Sequence, residues 1–174
     1  TIKSEDWTPN KFGGVFDGNG KTIDNLVIEK DGPAAFFSKL ESATVKNLTF
    51  GEGCSFISTG KWAGIKDAIF AASLAADARG VITLNKVVNK GKVLAPAAAA
   101  GGSSANYLGG ICASFDATGT VTDCENYGEV SFLAVPDGSV YCGGIFGETK
   151  SQVNLVGCKN HATVQFNGTN TNNK

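Results

Sequence analysis

The sequence predicts an all-β fold: a right-handed parallel β-helix (β-solenoid) of about five coils with loop insertions. Three observations predict it. Short segments of alternating polarity are separated by Gly, Asn and Asp, and two sequence themes recur along the chain. Within the later theme the internal spacing is constant, whereas the distance between copies varies. A repeated coil joined by loops of different length produces this combination.

The first theme is the pattern T-[I/V]-x-N-L-x-[I/F], found at Thr22–Ile28 and again 22 residues later at Thr44–Phe50. The second theme occurs three times, displaced by 37 and then 34 residues, at Val87–Val93, Cys124–Val130 and Cys158–Val164. In each of these copies a Leu or Ile stands 15 residues before the asparagine. Repeats of this size stack so that each coil covers the apolar edge of its neighbour.

One segment, KDAIFAASLAADARG, has an alanine spacing that also suits a helix. Phe70 and Leu74 within it align with Tyr107 and Ile111 of the following copy. We therefore assign this segment to the strands of the solenoid.

Stacking places equivalent residues of successive coils about 4.8 Å apart, so like side chains form columns along the axis. Asparagine tolerates a left-handed backbone at a corner, and stacked amides hydrogen-bond to each other. The alignment predicts an inward apolar column of Val87, Cys124 and Cys158. It also predicts an asparagine column two residues further on, and a comparable one in the first theme: Asn89, Asn126 and Asn160; Asn25 and Asn47.

The cysteines number five, so at least one is unpaired within the chain, and we favour free thiols that replace valine in the core. The chain has no CxxC motif and a single histidine, His161. Zinc sites need about four ligands at suitable spacing. We therefore predict no metal and no cofactor.

The stretch DGNG, which is Asp17, Gly18, Asn19 and Gly20, could be a calcium loop, a phosphate loop or a turn. An EF-hand counted from Asp17 has Lys21 at its fifth position and Ile28 at its twelfth, where oxygen ligands are required. A phosphate loop requires glycine where Val15 stands. We predict a tight turn between two strands, in which asparagine and glycine supply positive φ.

The charges nearly cancel, with 15 basic and 16 acidic residues, and Arg79 is the sole arginine. This balance argues against a nucleic acid partner. No apolar run approaches the length of a membrane span, which argues against membrane insertion of this segment. We expect an approach segment at 1–11, one β-helix domain at 12–166 and a polar tail or linker at 167–174. Neither end shows a cap, which suggests flanking domains or end-to-end association.

The block FGGVFDGNGKTIDNLVI, the following AAFFSKLESATVKNLTF and the YxGGI…CxNYGxV copies resemble the GLUG-motif β-helical repeat regions of large bacterial adhesin-like proteins. The likeness covers roughly residues 12–166. The chain departs from the pattern at AAFF (34–37) and at FAASL (70–74), where glycines are replaced. The resemblance implies an extracellular or bacterial cell-surface location and a role in adhesion or as a scaffold. It brings no catalytic residues.

Three functions are compatible with such a fold, and the fold alone selects none of them. The first is a non-catalytic, adhesin-like scaffold or stalk. The second is a carbohydrate- or protein-binding module, whose partners would be host or extracellular glycans or proteins. The third is a polysaccharide lyase or hydrolase.

For binding, Trp62 and Tyr127 are the candidate ligand-contacting residues, because sugar rings stack on flat aromatic side chains. Tyr107 and Tyr141 align with Phe70 and are interpreted as a packing column. The low-complexity insertion at 94–106 is expected to form a mobile loop outside the coil.

For catalysis, Asp123 and Glu125 form the best pair of carboxylates, since residues two apart on a strand point to the same side. Their equivalents in the neighbouring copies are Lys86 and Val88, then Gly157 and Lys159, which supply no third acid. A solvated face of mixed charge is the interpretation we favour. Arg79 and His161 are interpreted as incidental.

Overall fold

The computed structural model describes residues 7–63, 67–99, 105–134 and 138–166. The described chain contains strands and no helix, as predicted, and therefore no helix long enough to cross a membrane. The strands in chain order are β1 (Asn10–Ile23), β2 (Val27–Asp31), β3 (Pro33–Ala34), β4 (Phe37–Phe50), β5 (Ser55–Gly60), β6 (Phe70–Ala72), β7 (Ala75–Asn89), β8 (Lys92–Ala95), β9 (Asn106–Gly109), β10 (Cys112–Thr122), β11 (Glu125–Asn126), β12 (Val130–Phe132), β13 (Val140–Gly143), β14 (Phe146–Thr149), β15 (Val153–Val156), β16 (Lys159–Asn160) and β17 (Val164–Phe166).

These strands form three parallel sheets that wind around one core. The first sheet follows the order β1-β4-β7-β10-β14, the second β17-β12-β8-β5-β2 and the third β13-β9-β6-β3. The parallel β-solenoid is therefore confirmed. The coil count differs slightly from the predicted five, because the last coil contributes no strand to the third sheet within the described residues.

The alanine-rich segment around residues 70–80 is strand, as predicted. Its small side chains make room on the outside of the coil for an aromatic column. Phe70 stacks on Tyr107 with ring centroids 4.9 Å apart, and Tyr107 stacks on Tyr141 at 5.4 Å. Ala72 and Ala76 are buried in the same cluster as the first two of these rings. Tertiary packing thus overrides the helix propensity of alanine.

The DGNG stretch does not separate two strands, which corrects our prediction of a turn. β1 runs through it while pairing with β4, and Asp17 opposes Lys46 whereas Lys21 opposes Leu48. Gly18, Asn19 and Gly20 together therefore face one residue, which is a bulge. The predicted positive φ is confirmed at Asn19 (50°) and Gly20 (68°). A Cβ on Gly18 would lie 2.5 Å from the carbonyl oxygen of Asn47, so glycine is required by close approach.

Asn25 and Asn47 do not share a column, which corrects a second prediction. Thr22 pairs with Thr49, so the two copies of the first theme are offset along the coil. Asn47 lies inside β4, and Asn25 lies between β1 and β2. Both have φ near +55° (56° and 54°). The two similar sequences thus serve the same local need, a left-handed residue before a strand, at two different corners.

The predicted boundaries hold in part. β1 begins at Asn10, two residues before the predicted start of the domain, and β17 ends at Phe166. The predicted tail at 167–174, most of the approach segment and residues 100–104 of the insertion lie outside the described residues. Trp7 covers the N-terminal end, since its ring stacks on Phe36 at 4.5 Å and its indole N–H donates to the Phe36 carbonyl at 2.9 Å. This end therefore carries the cap that the sequence did not reveal.

Candidate functional site

A groove of about 850 Å³ runs along one corner of the solenoid, and we call it the corner groove. Its floor is the column of Lys86, Asp123 and Gly157, and its wall carries Lys90 and Tyr127. The outer positions of the first sheet complete it: Thr22, Thr49, Val88, Glu125 and Lys159.

The groove is concave because every coil bends at this corner through a left-handed residue. The residues at the bend are Lys86 (φ 53°), Asp123 (51°) and Gly157 (67°), with Asn47 (54°) in the preceding coil. Left-handed backbone is costly for residues with a Cβ and is expected of Gly, Asn or Asp. Lys86 breaks this rule, and the sequence therefore gave no sign that the bend continues through its coil.

Behind the wall lies the predicted asparagine ladder, which the structure confirms for Asn89, Asn126 and Asn160. The Nδ2 of Asn89 donates to Oδ1 of Asn126 at 2.8 Å, and the Nδ2 of Asn126 donates to Oδ1 of Asn160 at 2.9 Å. Each Nδ2 also donates to the carbonyl two residues ahead, for example that of Gly128 at 2.9 Å. The ladder therefore fixes the backbone on both sides of Lys90, Tyr127 and His161.

The paired glycines explain the constant spacing in the second theme. A Cβ on Gly110 would lie 2.4 Å from Cγ of Asn126, and a Cβ on Gly144 would lie 2.2 Å from Cγ of Asn160. Each asparagine side chain thus packs against the backbone of its own coil's glycine. The distance along the chain between the two is fixed by this contact, whereas the loops elsewhere can vary.

The predicted apolar column of Val87, Cys124 and Cys158 is also present beneath the groove. All five cysteines are free, as we favoured. Val87 and Cys124 are fully buried, and burial raises the pKa of the Cys124 thiol to about 12. The thiol is therefore a protonated filler of the core at neutral pH and a poor nucleophile.

Tyr127, Glu125 and His161 form one cluster on the groove wall. The Tyr127 and His161 rings stack with centroids 4.3 Å apart, and the Tyr127 hydroxyl donates to Oε2 of Glu125. The His161 Nε2 lies 3.3 Å from the same oxygen. The hydrogen bond from Tyr127 lowers the pKa of Glu125, and the same bond raises the pKa of Tyr127. His161, interpreted as incidental from sequence, is thus part of the candidate site.

The neighbours of Asp123 and Glu125 are those that the repeat predicted. Glu125 pairs with Val88 on one side and Lys159 on the other, which puts Asp123 between Lys86 and Gly157. No group of three or more acidic, His or Cys side chains in the described parts of the chain is arranged to hold a metal ion. Glu125 is held ionised by its partners, which is the wrong state for a general acid.

Trp62 lies away from the corner groove. Its ring is half-buried, packs edge-on against Phe70 with centroids 5.6 Å apart and covers Gly32. Its backbone N–H bonds to the Ala68 carbonyl at 2.8 Å. Of the two aromatic candidates, the structure therefore places only Tyr127, which is 47% exposed, in the groove.

Arg79 belongs to a charged network, which corrects its interpretation as incidental. Its Nε lies 2.8 Å from Oδ2 of Asp77, and its Nη1 lies 3.4 Å from Oδ2 of Asp116. The register places Glu41 opposite it in the preceding coil. The 37-residue displacement already joins positions 79 and 116, so the repeat held the signal for this contact.

Comparison with known proteins adds no name to these features: no protein-family model, no curated protein and no solved structure matches the chain.

Proposed function

We propose that this chain is a non-catalytic, adhesin-like scaffold of an extracellular or bacterial cell-surface protein. The observation that carries the proposal is the use of its recurring polar residues. The asparagines bond to each other across three coils and to the turns of their own coils. A rod that presents surfaces needs such continuous stacking, and its stability is close to a sum over neighbouring coils.

The chemistry of the corner groove supports this proposal over a lyase or hydrolase. Hydrolases use two carboxyl groups, one of which is protonated as an acid. Here Glu125 shares its Oε2 with Tyr127 and His161, which favours the ionised form. Lys86 and Lys159 flank the two carboxylates along the axis. Such a surface of alternating sign suits reversible contacts better than bond cleavage.

Carbohydrate recognition by the corner groove is a second candidate, favoured by the exposed Tyr127–His161 stack. A flat aromatic surface beside lysines and carboxylates offers both a stacking platform and hydrogen-bond partners for sugar hydroxyls. The partners would be host or extracellular glycans. A protein partner would use the same lysines and carboxylates along the groove.

The test is a binding screen of the purified chain against glycans and extracellular matrix proteins, with each glycan also assayed for newly formed reducing ends or unsaturated products. Tyr127→Ala is compared with Tyr141→Ala, because Tyr141 is also an exposed, stacked tyrosine but lies in the third sheet. Binding lost in Tyr127→Ala alone supports groove recognition. No binding leaves the scaffold alone. Catalytic turnover of any polysaccharide contradicts the proposal.

A further inference from the structure

The C-terminal end of the solenoid exposes its core. Leu155, Val164 and Phe166 are 49%, 39% and 47% exposed, whereas the residues that pair with them one coil earlier, Val121, Val130 and Phe132, are fully buried. Within the described residues, strands β14 to β17 have a hydrogen-bonded neighbour on one side only. We call this surface the C-terminal edge. It combines unpaired backbone groups with open apolar columns, which is what an added strand requires.

The asparagine ladder gives this edge a specific chemistry. A side-chain amide has two N–H donors. Asn89 and Asn126 use one on their own turn and the other on the next asparagine. Asn160 donates to the Ala162 carbonyl at 2.8 Å, and its other N–H faces the position of a further coil. An incoming strand is therefore favoured if it carries an asparagine oxygen at that position.

The other end of the same chain does not fit this edge. Following the pairing from coil to coil, the column of Cys158 ends at Lys21, and the column of Asn160 ends at Ile23. Head-to-tail stacking of two copies would place a lysine in an apolar column and an unpaired amide against isoleucine, and both are costly. Trp7 also covers part of that end. The structure thus argues against the end-to-end association that the open ends suggested from sequence.

We propose that the C-terminal edge accepts a β-strand segment of a different polypeptide, added in parallel as one more coil. The segment carries a small apolar residue, then asparagine two positions later, valine four positions after that and an aromatic residue two positions further. This is the pattern that residues 124–132 (CENYGEVSF) already present to the coil 158–166. Specificity comes from the asparagine and affinity from the backbone bonds and the apolar columns.

The test uses a synthetic peptide of residues 119–132 under reducing conditions, with the whole chain as receptor. We expect saturable binding, with slower amide exchange gained in residues 153–166 and unchanged exchange in β1 and β2. A peptide carrying Asn126→Leu should bind about tenfold more weakly, because it leaves the Asn160 amide unpaired. Phe166→Asp in the receptor should weaken binding at least as much, and Val15→Asp, on the exposed first coil, should not.

Three results would overturn the proposal. The first is no binding, and the second is equal binding of the two peptides. The third is a concentration-dependent dimer that protects residues 153–166 without peptide, which would assign the edge to a second copy. Circular dichroism of the receptor variants separates lost binding from lost folding, and the two peptides on the unmodified receptor decide the question if a variant fails to fold.

Discussion

Asn126 shows how one residue links the core to the surface. Its amide is fully buried, bonds to asparagines in two neighbouring coils and holds the turn that carries Tyr127. The side chain that a ligand would meet is therefore positioned by a side chain that no ligand would reach. Repeat spacing was sufficient to predict this ladder. It could not reveal the Tyr127–His161 stack, because ring orientation depends on the outward bend of the corner.

Replacing Asn126 with leucine is expected to lower the free energy of unfolding by about 3 kcal/mol, because buried polar groups on both sides and in its own turn lose their partners. Asn160→Leu should cost about 1 kcal/mol, since Asn160 is exposed and has an asparagine neighbour on one side only. Urea denaturation measures both. Equal losses at the two positions would contradict the ladder.

The Tyr127–Glu125 hydrogen bond predicts a dependence on pH at both ends of the scale. Because the folded pKa of Glu125 is lowered, its stabilising effect is full above the unfolded pKa and is lost as pH falls through the folded value. Because the pKa of Tyr127 is raised, its effect is full below the unfolded pKa and is lost as pH rises through the folded value. Ultraviolet difference titration should show Tyr127 ionising above its usual range. Glu125→Gln should move that ionisation back towards the usual range, and an unchanged titration would contradict the bond.

At the scale of the element, the corner bend is the feature that the sequence concealed most. The later three coils could be aligned from sequence, since their glycine–asparagine contacts fix a constant spacing. The first two could not, because Asn10 of β1 pairs with Phe37 of β4 and bulges then shift the register. The sequence similarity at a spacing of 22 residues arises from two different corners. The conformation of Lys86 is imposed by its neighbouring coils and is not encoded in its own residue type.

Lys86→Gly is expected to stabilise the protein by about 0.5–1 kcal/mol, because glycine adopts the left-handed conformation without steric cost. Lys92→Gly is the matched control. It is an exposed lysine within β8 and lacks positive φ, so glycine there should destabilise by about 0.5–1 kcal/mol. Thermal unfolding of both variants measures the difference. A loss of stability in Lys86→Gly would show that its conformation is not strained.

At the scale of the whole molecule, the two ends are unlike. The N-terminal end is covered by Trp7 and carries Lys21 where later coils place apolar residues, whereas the C-terminal edge leaves its columns open. In a solenoid each coil contacts its neighbours only, so stability should fall towards the open edge. The sequence predicted the solenoid from its repeats. It did not predict this polarity, because the capping contact of Trp7 joins residues 29 positions apart with no repeat to mark them.

Equivalent substitutions should therefore cost less near the open edge. Phe132→Ala is expected to destabilise by about 3–5 kcal/mol, because the ring is fully buried between coils. Phe166→Ala should cost about 1 kcal/mol, since about half of its surface is already exposed. Chemical denaturation compares the pair. A cost at Phe166 as large as at Phe132 would indicate that the edge is covered in solution.

The stacking of the later coils through the asparagine ladder is the central claim, because it positions both the corner groove and the C-terminal edge. The most direct test is nuclear magnetic resonance of the asparagine side-chain amides. The account predicts slowly exchanging amide protons for Asn89 and Asn126, with nuclear Overhauser contacts from Asn89 to Asn126 and from Asn126 to Asn160, and none from Asn89 to Asn160. Fast exchange of the Asn126 amide, or contacts in any other order, would contradict it.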